Sequence, residues 1–286
     1  MNDDSQIIKV LDELTLLGEV ALAFSQISST RMKRIRENVL TSRDFQFSVY
    51  EIFKEVLASY AREQAHRKKS GKITFLSHNG KTVALFLSAN TGLYGDIVNK
   101  TFEFFVNEIK SQDFEVAIVG KLGLAMYKER FPKRPYTYFD LKDYGKDPDG
   151  LLEIIKHIVQ YERVLIYYGK YENVVKQVPS KYDISAEVPL EGAEAVEVDK
   201  YIFEPNPEAL LAFFESELFT SLFDHSVFES QLAKFASRMI AMDLASQKIE
   251  ERIKVASLQS LRIGHATSNR KQQNALASIY YLEKHT

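Results

Sequence analysis

The chain contains no cysteine, which removes disulfides, thiolate-bound zinc, iron–sulfur clusters and a thiol nucleophile from consideration. That absence agrees with a reducing compartment. Proline and glycine are scarce, seven and twelve in 286 residues, and unevenly placed. Neither the first 70 residues nor the stretch after Pro207 contains a proline, and each holds one glycine, Gly18 and Gly264. No run approaches the 18 or more apolar residues of a membrane span, and the polar start Met1-Asn2-Asp3-Asp4 does not read as a signal peptide, so a cytoplasmic protein is expected. Neither sign of charge dominates: 37 basic against 39 acidic residues give a net charge of −2, which argues against a dedicated nucleic-acid binder. The six histidines (His66, His78, His157, His225, His265, His285) form no metal-spaced pair, and no Ser–His–acid set can be assembled. No catalytic residue, cofactor or metal ligand is expected.

What the chain has instead is helix at both ends. After Asn206-Pro207-Glu208, which supplies an N-cap, a proline in the first helical position and an acid in the first turn, apolar residues step by four and three. They are Phe228, Leu232, Phe235, Met239, Met242, Ile249, Ile253 and Ala256, continued after Ser260 by Ile263. That is coiled-coil spacing, and roughly 78 residues at about 1.5 Å each make a helix of about 115 Å. Ile7, Val10, Leu14, Leu17, Ala21 and Phe24 offer a matching N-terminal seam, and Val49, Ile52, Phe53, Val56, Leu57 and Tyr60 resume a helical face. The basic run at 66–71 ends on glycine, as a helix C-terminus does.

Between the helices the pattern alternates. Strands are expected at 73–76, 83–87, 115–120 and 164–168, with edge strands at 182–188 and 195–203. Helices are expected at 96–110, at 122–131, broken by Pro132 and Pro135, and from Asp147-Pro148-Asp149 to about 161. The fold class is therefore α/β: a small Rossmann-like α/β domain (72–205) inserted between two long terminal helices (1–71 and 206–286) that form an antiparallel coiled coil. Gly92-Leu-Tyr-Gly95 lies between strand and helix, where phosphate loops occur. It lacks a third glycine and a Gly-Lys-Ser/Thr end, so it reads as a tight turn of the foot domain. The cluster Arg31, Lys33, Arg34 and Arg36 reads as a solvated face or as a surface for carboxylates of another chain.

Several stretches resemble the gamma subunit, the central rotor stalk, of F-type ATP synthases. They are Phe203-Glu-Pro-Asn-Pro-Glu208, Ala236-Ser-Arg-Met-Ile-Ala-Met-Asp243, Gly92-Leu-Tyr-Gly95, Gly120-Lys-Leu-Gly123, Val164-Leu-Ile-Tyr167 with Val178-Pro179, and Arg31-Met-Lys-Arg34. The resemblance implies a non-catalytic subunit whose partners are three alpha and three beta subunits, with an epsilon-like subunit and a membrane rotor ring. Nucleotide sites would lie on the ring and not on this chain. It implies a peripheral place on the cytoplasmic face of a membrane, as part of a complex. Contacts with the alpha/beta ring are then expected from Arg31, Lys33, Arg34, Arg238, Met242, Arg262 and Thr267. The sequence departs from the family's pattern at Ile263, Asn269 and Arg270, and its N-terminal helix carries Asp12, Glu13 and Glu19 against Lys9 where the family is basic. A gamma-like shaft of a motor without an ordinary proton-driven membrane sector, a non-motor coiled-coil scaffold, and a small nucleotide-dependent enzyme remain alternatives.

Overall fold

The structure is a computed structural model that describes residues 2–65, 79–145, 147–185 and 207–283. The expected strands at 73–76 and 195–203, the helix end at 66–71 and residues 203–206 of the Phe-Glu-Pro stretch lie outside the described residues. Ten elements follow in chain order: α1 (Asn2–Ala65), β1 (Thr82–Leu87), α2 (Ile97–Ile109), β2 (Glu115–Val119), α3 (Lys121–Arg130), β3 (Thr137–Phe139), α4 (Pro148–Ile158), β4 (Arg163–Tyr171), β5 (Gln177–Ser185) and α5 (Pro207–Glu283). They divide into two compact units. One takes α1 up to Ile27 with α5 from Met239 onward, and the other runs from Ser28 to Arg238.

In the first unit two helical segments share a narrow seam. A Cβ on Gly18 would stand 3.4 Å from Ile249 Cγ2, and Ala21 and Ala256 are buried. The expected seam of α5 holds at Ile249, Ile253, Ala256, Ser260 and Ile263, all buried or half-buried. The expected seam of α1 needs correcting. Val10 and Leu17 are 46% and 55% exposed, and half-buried Leu11 and Gly18 take their places. The cause is that this helix is apolar around most of its circumference, so spacing alone does not choose a stripe. Close approach to Ile249 chooses the one with the smallest residue.

The second unit is built on a five-stranded sheet of order β3-β2-β1-β4-β5. β1 through β4 run parallel, and β5 pairs antiparallel with β4. Both faces are covered, as a parallel sheet requires, and strand residues alternate between them. Ala84 and Phe86 pack with α2 residues Phe102, Phe105 and Ile109, and with Ile35 of α1 and Phe235 of α5. Val83, Leu85 and Leu87 pack on the other face with Ile154 and Ile158 of α4 and with Phe223 and Val227 of α5. α5 thus contributes to both cores. Within this unit α1 and α5 run antiparallel: Arg31 meets Phe235, whereas Asn38 and Phe45 share a groove with Glu217 and Phe228.

Two strands differ from expectation. β3 has three residues, too few for a pattern to register, and was not foreseen. β5 starts at Gln177 rather than 182 because Pro179, opposite Gly169, is tolerated on a strand that has no outer partner among the described residues to supply with a hydrogen bond.

Candidate functional site

Open α/β sheets bind ligands at the carboxyl ends of their strands, where neighbouring connections leave in opposite directions. Here that point lies at the end of β1, between β2 and β4. It is occupied by side chains of α5. What remains is a void of about 10 Å³ beside Ser88, Lys142, Ser230, Gln231 and Lys234, room for no more than about one water molecule.

The loop after β1 is fixed from three sides. From β2, Ser88 N donates to Val119 O at 2.9 Å, and Gly120 passes under Ala89. From the β3–α4 connection, Asp143 accepts bonds from Asn90 N (2.7 Å), Thr91 N (2.9 Å) and Thr91 Oγ1 (2.8 Å). Asn90 joins both neighbours, donating to Asp140 and to Leu141 O and accepting from Lys121 N. From α5, Lys234 Nζ donates to Ser88 O at 2.7 Å. Arg238 donates to Gly92 O (2.7 Å), Leu93 O (3.2 Å) and Thr91 Oγ1 (3.3 Å), and its guanidinium lies 3.7 Å from the centre of the Tyr94 ring. Leu93 is the one described non-glycine residue with a positive φ, +66°.

Burial governs the charges here. Desolvation pushes the Lys234 ammonium down to about 8, with Arg238 lowering it further and Asp143 opposing. Desolvation likewise pushes the Tyr94 hydroxyl up. On β4, Tyr168 donates to Glu229 of α5 at 2.7 Å, and burial followed by that carboxylate raises its pKa.

The expected site residues fall into three groups. Gly92, Gly95 and Arg238 come together at this edge. Gly95, at φ +61°, lies so close to α5 that a Cβ would meet Ser237 Oγ at 2.4 Å, whereas nothing lies within 4 Å of one on Gly92. Arg238, expected to face a partner, is 5% exposed; its guanidinium is turned inward onto the loop, so its role is corrected to that of an internal clamp. Arg31 is half-buried, its guanidinium 4.6 Å from the Tyr144 ring and 5.5 Å from that of Phe235, while Lys33 and Arg34 are exposed. Met242, half-buried, and Arg262 and Thr267, both exposed, belong to the other compact unit.

Lys234, Glu229 and Asp143 were not anticipated. A single lysine or glutamate in a helix normally reads as solvated. The available sign was the run of small residues around Lys234 (Ser226, Ser230, Ala233, Ala236 and Ser237), all of them buried and small enough for the helix to pack closely on its neighbours.

Comparison with known proteins gives one family throughout. The ATP synthase gamma chain of Geotalea daltonii is 26% identical over 262 residues, 87% of this chain and 88% of the relative. That of Staphylococcus epidermidis is 22% identical over 265 residues, with the same coverage of both. The fold matches a chain of the Tetrahymena thermophila mitochondrial ATP synthase central stalk and c-ring, with a TM-score of 0.57, 20% identity, and coverage of 79% of this chain and 99% of that one. It also matches a chain of the Euglena gracilis mitochondrial ATP synthase, with a TM-score of 0.55, 14% identity, and coverage of 89% and 95%. The ATP synthase family profile spans residues 11–264, and with these gamma-chain relatives it establishes that the chain belongs to the ATP synthase family as a gamma subunit.

Proposed function

We propose that this chain is the central-stalk rotor of an F-type ATP synthase or ATPase, with α1 and α5 as shaft and the α/β domain as foot. The observation that carries it is a pair of uninterrupted helices, 64 and 77 residues long, that pack on each other within each compact unit, with a family match over residues 11–264. A shaft transmits torque by stiffness and by presenting a different face to each of three beta subunits. Shaft angle and nucleotide state then bias each other reciprocally. The division into 1–71, 72–205 and 206–286 follows the same logic. Catalysis belongs to the beta subunits, and an epsilon-like subunit and a membrane rotor ring complete the set of partners. No described helix is long and apolar enough to cross a membrane, and we place the chain peripherally, on the cytoplasmic face.

Lys33, Arg34, Met242, Arg262 and Thr267, with the edge of Arg31, are the residues proposed to meet the ring. Lys33 and Arg34 test this most cleanly, since Arg31→Ala would also remove packing on Tyr144 and Phe235. Lys33→Ala with Arg34→Ala should leave stability within about 0.5 kcal/mol, as exposed substitutions do. ATP-driven rotation of the assembled complex should weaken. Unchanged rotation would remove these two residues from the contact set. The rotor reading itself is checked by purifying the tagged chain, which should bring alpha and beta subunits at three copies each per copy of this chain. Recovery of the chain alone, from cells that express all subunits, would favour the scaffold alternative.

A further inference from the structure

We infer that the face of α5 from Glu229 to Arg238 is the joint through which torque passes between the shaft and the α/β domain, with Lys234 and Arg238 as its positioning residues. This rests on the rotor reading. Four side chains of α5 make directed bonds to separate parts of the domain within ten residues of helix. Glu229 accepts from Tyr168 of β4, Gln231 donates to Lys142 O at 3.4 Å, Lys234 holds Ser88 at the end of β1, and Arg238 holds Gly92 and Leu93. The anchors therefore reach β4, the end of β1 and the loops that follow β1 and β3.

The load explains the chemistry. Torque acts on a helix lying against a sheet as shear. Apolar packing resists separation, but the hydrophobic effect is non-directional, and a greasy face that slides by a fraction of a turn regains much of its contact area. A hydrogen bond weakens steeply as its angle departs from linear, so short bonds to backbone carbonyls resist sliding. Arginine's rigid fork holds two carbonyls at once, and Tyr94 stacks against it. Lys234 is 7% exposed, and burying its ammonium is unfavourable, so stability alone gives no reason for a lysine there.

Gly95 supports the same assignment. Its missing side chain brings the loop against Ser237, one residue before Arg238, which lets the guanidinium reach Gly92 O at 2.7 Å. Asp143, which holds the same loop from the opposite side, keeps the carbonyls aimed at α5.

The test uses the assembled complex. Because the chain has no cysteine, Val175→Cys, at a site 78% exposed on the β4–β5 hairpin, gives a unique attachment point for a probe on the α/β domain. With the catalytic ring fixed and the motor stalled, the angular spread of the probe reports torsional stiffness. Lys234→Met, and separately Arg238→Lys, should broaden that spread. They should also lower the ions pumped per ATP hydrolysed, while ATP hydrolysis and the melting temperature of the free chain persist. A merely structural role would leave both the spread and the pumping ratio unchanged, whatever happens to the melting temperature. If Lys234→Met does not assemble, Arg238→Lys, which keeps the charge and the stem, carries the measurement. An unchanged spread and pumping ratio in an assembled variant overturns the joint alone. A wild-type complex that hydrolyses ATP without turning the probe overturns the rotor reading and the joint with it.

Discussion

Gly120→Ala is expected to cost the α/β domain about 4 kcal/mol or more, an exceptional loss for one methyl group. Gly120 follows β2 at φ +96°, a region that side chains rarely adopt, and an added Cβ would stand 2.8–2.9 Å from the backbone N, C and O of Ala89. Backbone strain of this kind costs about 1–3 kcal/mol by itself. The clash adds to it because the obstructing atoms are main chain, already held by the bond from Leu122 N to Ala89 O, and cannot rotate away as a side chain could. Since a domain's total stability is of order 5–15 kcal/mol, urea unfolding of the full chain should show the variant largely unfolded or with its midpoint sharply lowered. Gly92→Ala is the matched control. It adds the same methyl group to the same sheet edge, where nothing lies within 4 Å, and should change stability by less than about 1 kcal/mol. Equal effects at the two positions would contradict the close passage of β2 under β1.

That contrast shows what the sequence makes legible. Gly120-Lys-Leu-Gly123 and Gly92-Leu-Tyr-Gly95 are similar patterns on paper, each marking a strand-to-helix turn. Only the folded chain distinguishes them: Gly120, Gly123 and Gly95 are sterically required, Gly123 because a Cβ would fall 2.5 Å from that of Ser88, and Gly92 is not. The alternation of strands and helices was readable because each buried strand is a short apolar run bounded by turn residues. The α5 seam was readable because Ile249, Ile253, Ala256 and Ile263 keep coiled-coil spacing, even though Leu244, Val255, Leu258 and Leu261 off the seam are apolar and exposed. The α1 seam was not, because Ile8, Val10, Leu16, Leu17, Val20 and Leu22 are apolar as well and remain 44–61% exposed. Their exposure in this chain agrees with a shaft that another surface surrounds. Arg238 was picked out by family resemblance, but its direction was not, since a cation on a helix gives no sign of whether it faces solvent or a carbonyl. Lys234 escaped notice for the same reason.

Lys234→Met is expected to flatten the dependence of stability on pH while costing little at neutral pH. Desolvation lowers the Lys234 pKa in the folded chain from 10.5 to about 8. Between those values the unfolded chain retains a proton that the folded chain has released. Stability therefore rises as pH increases from about 8 toward 10.5, and the penalty for the buried charge, about 3 kcal/mol, is fully present below 8. Tyrosine ionisation begins to contribute by pH 9.5, but wild type and Lys234→Met carry the same tyrosines, so it cancels in their difference. Between pH 7 and pH 9.5 the wild type should gain about 2 kcal/mol relative to Lys234→Met. At pH 7 the substitution relieves the penalty but leaves Ser88 O without its donor, a loss of about 1–3 kcal/mol. The two effects nearly offset, as they do when buried charges are replaced by apolar residues of similar volume. Asp143→Asn should then cost more in the wild type than in Lys234→Met, because it withdraws the carboxylate that opposes the desolvation of a cation still present only in the former. Unfolding curves of the four chains at both pH values measure this coupling. Parallel pH profiles for wild type and Lys234→Met would mean that the ammonium is hydrated, and Lys234 would then not be a buried anchor of α5.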